Sequence, residues 1–68
     1  MKTKRYEKLY ELRKKNNLNI YEMGALLGVT GAYYWQLENK KRRLFYDIAM
    51  NIARIFNMNP DDIFYDEI

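Results

Sequence analysis

Cysteine and histidine are both absent from this chain. Their absence excludes disulfides, thiol chemistry, the usual zinc sites and histidine general-base catalysis, so the fold must hold by packing alone. There is no run of about 18 apolar residues for a membrane span. Met1, Lys2, Thr3, Lys4 and Arg5 lead into a charged segment rather than the apolar stretch of a secretion signal. A cytoplasmic location is therefore expected. The carboxylates are few, dispersed or accounted for by helix caps, and no nucleophile stands with a base, so the chain does not read as an enzyme. Repeats, linkers and low-complexity tracts are also missing. The 68 residues are expected to form one domain over 1–68, without room for separate ligand sensing, because a chain this short buries only about 60% of the surface it exposes unfolded. No metal, cofactor or small-molecule ligand is expected.

What is present is a charge asymmetry and a helical pattern. Residues 1–43 carry eleven Lys/Arg against four Glu, a net of +7, while residues 44–68 carry one Arg against five acidic residues, a net of −4. The first half is thus the side expected to face a polyanion. Frequent Asn, Lys, Ile and Tyr suggest AT-rich coding, as in a low-GC bacterium or its phages.

Apolar residues at three-to-four spacing predict five short helices on one core, an all-α fold. The first spans about 3–15, with Tyr6, Leu9, Leu12 and Arg13 on one face and Asn16 and Asn17 able to close it in a left-handed cap. The second and third cover 20–27 and 31–38. Met23, Leu27, Val29, Tyr34 and Leu37 supply their apolar positions. Gly24 has no Cβ to hold the two helices apart, and Gly28 can take the positive φ of a tight turn; a larger residue at either place should push the helices apart. Asn19 with Glu22 reads as a capping box, and Thr30 as the cap of the third helix. Ile48, Ala49, Ile52, Ile55 and Phe56 line a fourth helix over 46–56, which Asn57 stops. Asn59, Pro60, Asp61 and Asp62 combine a cap, a proline in the first turn and two carboxylates to start a short fifth.

With these residues in order the chain resembles the λ-repressor/Cro-like helix-turn-helix family, also called the xenobiotic-response-element family, with the motif at about 20–38. The resemblance runs without gaps from about Leu9 to Phe64. It is carried by LYELR at 9–13, by LEN at 37–39 followed by Lys41 and Arg42, and by IARIFNMNPDDIF at 52–64. It implies a five-helix DNA-binding domain and an ion pair between Arg13 and Glu38, buried or half-buried; two exposed charges are the alternative.

It also implies a sequence-specific transcriptional regulator, a Cro-like repressor of the phage or mobile-element type, whose third helix lies in the major groove of double-stranded DNA. The base-reading positions are then Gly31, Ala32, Tyr33, Trp35 and Gln36. Gln36 is the clearest reader, its amide suited to a bidentate pair with adenine. Phosphate contacts fall to Tyr10, to the backbone N–H at Ile20, to Thr30, and to Lys40, Lys41, Arg42 and Arg43. Arg5, Lys14 and Lys15 are weaker candidates. Ile20 stands where the family usually has glutamine, Lys40 stands in place of the glycine after Glu-Asn, and Gly31 and Ala32 replace polar or basic side chains. Tyr34 reads as core, with its hydroxyl reaching the edge. Trp35 has three open roles: a DNA contact, a protein-binding patch, or peripheral core.

One such domain covers few base pairs, so a homodimer on an inverted repeat is expected, formed on DNA or before it. Phe56, Met58, Ile63, Phe64, Tyr65 and Ile68 exceed what a small core buries. Phe64 reads as core, and Met58, Tyr65 and Ile68 are the interface candidates. The rival reading is a protein-binding module, an antirepressor or modulator of another repressor, motivated by the low polarity of Gly31, Ala32, Tyr33 and Trp35.

Overall fold

Apolar spacing interrupted by capping residues gives five short helices in the computed structural model, which describes residues 4–65. They are α1 (Glu7–Lys15), α2 (Ile20–Leu27), α3 (Gly31–Glu38), α4 (Tyr46–Ile55) and α5 (Pro60–Phe64). No strand occurs among the described residues, and the all-α expectation holds.

The starts of α2, α3 and α5 follow their caps. Asn19 and Glu22 exchange hydrogen bonds: the Glu22 N–H donates to Asn19 Oδ1 at 2.7 Å and the Asn19 N–H to Glu22 Oε1 at 2.8 Å. The Tyr33 N–H donates to Thr30 Oγ1 at 3.0 Å, and the Asn59 N–H to Asp62 Oδ2 at 3.1 Å. α1 begins later than its sequence pattern suggests. Thr3 lies outside the described residues, and Tyr6 has an extended backbone with its N–H donated to the Glu38 carbonyl at 3.0 Å. Its ring meets that of Phe64 edge-on, with centroids 5.1 Å apart. A tertiary anchor at Tyr6 has displaced the first helical turn.

Four helices end alike. Asn17, Gly28, Lys40 and Asn57 occupy the left-handed region with φ of 57°, 76°, 59° and 58°. The residue after each donates its N–H to a carbonyl five positions back: Leu18 to Arg13, Val29 to Gly24, Lys41 to Gln36 and Met58 to Ala53, at 2.8–3.0 Å. This closure satisfies carbonyls that a helix end otherwise leaves open. Only one of the four residues is glycine. At Lys40 the conformation costs about 1 kcal/mol, and its effect is to turn the chain back so that Arg42 reaches α3.

Leu9, Met23, Tyr34, Leu37 and Ile52 are fully buried, with Ala49, Ala53, Ile63 and Phe64 beside them. Each large apolar side chain so buried contributes about 1.5–3 kcal/mol. α2 packs on α3 and α4, and α5 on α1 and α4. The Tyr34 hydroxyl does not reach the edge as expected. It points inward and donates to Glu38 Oε1 at 3.2 Å, because Glu38 is itself buried and needs donors. The two motif glycines also divide their work. A Cβ on Gly24 would lie 2.8 Å from the Thr30 carbonyl oxygen, so absence of a side chain is a packing requirement there. A Cβ on Gly28 would meet nothing within 4 Å, so only its positive φ matters, contrary to the expectation that bulk at this position separates the helices.

Candidate nucleic-acid interface

The ion pair implied for Arg13 and Glu38 sets the back of α3. Arg13 donates from Nε to Glu38 Oε1 at 3.0 Å and from its second terminal nitrogen to Oε2 at 3.2 Å, while its first bonds the Leu18 carbonyl at 2.9 Å. Both residues are buried. Burial opposes the Arg13 charge, but the hydrogen bond and negative charge of Glu38 outweigh it and hold the guanidinium pKa above its usual value. Burial, and then the Glu38 charge, push the Tyr34 hydroxyl well above the ordinary tyrosine range. With Tyr34, Leu37 and Glu38 inward, the helical period turns Ala32, Trp35 and Gln36 outward.

That outward face differs from its sequence reading in several places. Gly31 is buried, and its absent Cβ leaves room for the Tyr21 ring, whose Cδ1 lies 2.6 Å from where the Cβ would be. Gly31 therefore acts as a spacer, and the surface above it is presented by Tyr21, which is 77% exposed. Sequence reasoning missed Tyr21. The one signal was the Gly31-Ala32 pair at the start of α3, which leaves space for a large side chain from the start of α2. Ile20, Tyr21, Ala32, Trp35 and Gln36 line an open, largely apolar cleft of about 390 Å³ above it. Trp35, 46% exposed, stands on this surface and not in the periphery of the core.

The basic residues do not form one stripe. Lys40 Nζ lies 5.0 Å from the Tyr6 ring centre, and the Arg43 guanidinium 5.3 Å from that of Phe45. Lys41 is exposed. Arg42 turns back onto α3, where its Nε donates to Gln36 Oε1 at 2.9 Å and its guanidinium lies 4.8 Å from the centre of the half-buried Tyr33 ring. Arg42 and Gln36 had been assigned separately, to phosphate and to base, and the fold joins them.

Among the remaining assigned residues, Thr30 uses its oxygen to cap α3 and keeps its hydroxyl hydrogen for another acceptor. Ile20 is half-buried at the first turn of α2, where helix geometry leaves N–H groups without an intrahelical partner. Tyr10 is half-buried on α1, with the Arg5 guanidinium 3.6 Å from its ring centre. Met58 is half-buried against the core, Tyr65 is 72% exposed, and Ile68 lies outside the described residues.

Among the described residues no helix is long and apolar enough to cross a membrane, and no group of three or more His, Cys, Asp or Glu is placed to hold a metal ion. Residues 9–63 match a family model described as helix-turn-helix. No curated protein matches the chain in sequence.

Proposed function

Since the chain belongs to the λ-repressor/Cro-like helix-turn-helix family, a family of DNA-binding regulators, we propose that it is a sequence-specific transcriptional repressor of the phage or mobile-element type. α3 enters the major groove and binding near a promoter excludes polymerase, so no catalytic step is needed. The observation that carries this reading is the division of α3: Tyr34, Leu37 and Glu38 are locked inward, and Ala32, Trp35 and Gln36 are presented outward beside Lys41 and Arg42. Gln36 meets a base edge. Ala32, Tyr33 and Trp35 supply apolar contact, and Gly31 holds Tyr21 over the start of the helix.

Backbone N–H groups at Ile20, the Thr30 hydroxyl and the side chains of Lys41 and Arg43 receive phosphates, with Tyr10 and Lys40 as flanking contacts. The whole chain acts as one domain in the cytoplasm. Two copies bind an inverted repeat with half-sites about one helical turn apart, meeting through the end that carries Met58, Tyr65 and Ile68.

The test is a titration of the protein against a random-sequence duplex library at two salt concentrations, with sequencing of the bound fraction. An enriched inverted repeat is expected. Salt-sensitive binding without enrichment would reduce the site to a nonspecific basic surface. A second reading, a protein-binding module, is favoured by one feature, the apolar cleft between Tyr21, Ala32 and Trp35. Absence of DNA binding at either salt, with tight binding to another regulator, would select it.

A further inference from the structure

The contact between Gln36 and Arg42 changes which base the outward face suits. Lys40 in the left-handed region and the Lys41 N–H bonded to the Gln36 carbonyl at 2.8 Å turn the chain back over the last turn of α3. Arg42 is thereby delivered to Gln36 Oε1 at 2.9 Å, and the Tyr33 ring supports its guanidinium from 4.8 Å. A free glutamine amide pairs with adenine by donating to N7 and accepting from the N6 amino group. Here a lone pair of the accepting oxygen is already engaged, and a positive guanidinium stands beside it. An incoming amino hydrogen would meet that cation. The groups left to bond outward are donors: both hydrogens of Gln36 Nε2 and those of the terminal Arg42 nitrogens, none of which has a hydrogen-bond partner among the described residues. Guanine presents two acceptors, N7 and O6, on its major-groove edge, whereas adenine presents one acceptor and one donor.

We propose that Gln36, Arg42 and Tyr33 form a single recognition unit for guanine, in which Gln36 and Arg42 donate to N7 and O6 and Tyr33 positions the guanidinium. This rests on the reading of α3 as the base-facing helix, and it adds that Arg42 specifies sequence where a phosphate contact would only add affinity. The planar guanidinium is required. A lysine would keep the charge but has neither the fork of donors nor the flat face that lies on Tyr33.

The experiment uses the full chain and its Gln36→Ala, Arg42→Ala, Arg42→Lys and Tyr33→Leu variants, selected on the same duplex library. The wild type should enrich a repeat containing an invariant guanine. Replacing that base by 7-deazaguanine, which lacks the N7 acceptor, should weaken binding about tenfold. Arg42→Lys should keep affinity for random DNA and lose the guanine preference, and Tyr33→Leu should reduce that preference in the same direction. If Arg42→Ala weakens all sequences equally and the preferred base persists, the unit does not exist and the regulator reading still stands. A wild type without any preferred sequence overturns both. A readout without DNA is the NMR signal of the Gln36 side-chain amide in the free protein, which Arg42→Ala should shift. No shift there would overturn the pairing itself.

Discussion

Arg13 and Glu38, 25 residues apart in the chain, form a two-pronged ion pair beneath α3, with both side chains buried and the Tyr34 hydroxyl donating to the same carboxylate. The pair ties α1 to the last turn of α3 and fixes the rotation of α3 about its own axis. Which side chains face outward from α3 is therefore decided from behind.

Removing one partner should strand the other. Arg13→Met leaves Glu38 buried with a single hydroxyl donor, and Glu38→Leu leaves a buried guanidinium bonded only to the Leu18 carbonyl. Each should cost about 3–5 kcal/mol, whereas the double variant should lose much less than the sum, because a buried pair recovers little beyond its desolvation cost. Urea unfolding of the two singles and the double checks this, and equal, additive losses would contradict it.

Tyr34 gives the stability an alkaline edge. The folded pKa of its hydroxyl lies above the ordinary value of about 10, so the folded state holds a proton that the unfolded chain releases. Its contribution is intact below pH ~10 and declines above it, by about 1.4 kcal/mol per pH unit. Tyr34→Phe cannot ionise. Its stability, measured by urea unfolding between neutral and alkaline pH, should fall less steeply than that of the wild type.

The three glycines should rank differently from what their shared identity suggests. Gly24→Ala drives a Cβ to 2.8 Å from the Thr30 carbonyl oxygen, so backbone must move, at about 1–3 kcal/mol. Gly28→Ala has open space and pays only for φ of 76°, about 1 kcal/mol. Gly31→Ala meets Tyr21 Cδ1 at 2.6 Å, beside the ring's attachment, and the Tyr21 Cα at 3.3 Å, so the exposed ring must turn aside and the cost should fall between the other two. Thermal melts of the three variants order them.

Gln36 and Lys41 should separate by kind of effect. Gln36→Ala should weaken an enriched site by about 1–3 kcal/mol and leave random DNA nearly unaffected. Lys41→Ala should weaken both alike and reduce the salt slope by about one. Equal losses on both DNAs for Gln36→Ala would remove it from the base-reading set.

Local chemistry made much of this legible in the sequence. The capping pairs at Asn19 with Glu22 and at Thr30, the left-handed closure at Asn17, the stop at Asn57 and the apolar period of α4 each depend on residues within a turn or two of one another. The likeness to a known family located the Arg13 and Glu38 pair. The late start of α1 was not legible, because Tyr6 is held by Glu38 and Phe64, which lie far along the chain. The interface divides in the same way. The likeness to the family placed Ala32, Trp35 and Gln36 among the outward residues of α3, and composition placed the positive charge in the first half of the chain. Only the tertiary structure put Tyr21 over Gly31, sent Lys40 and Arg43 to separate aromatic rings and brought Arg42 to Gln36. Helical period and capping are properties of neighbouring residues and can be read in order, whereas the direction of a long cationic side chain is set by whichever ring or carbonyl the folded chain brings within reach.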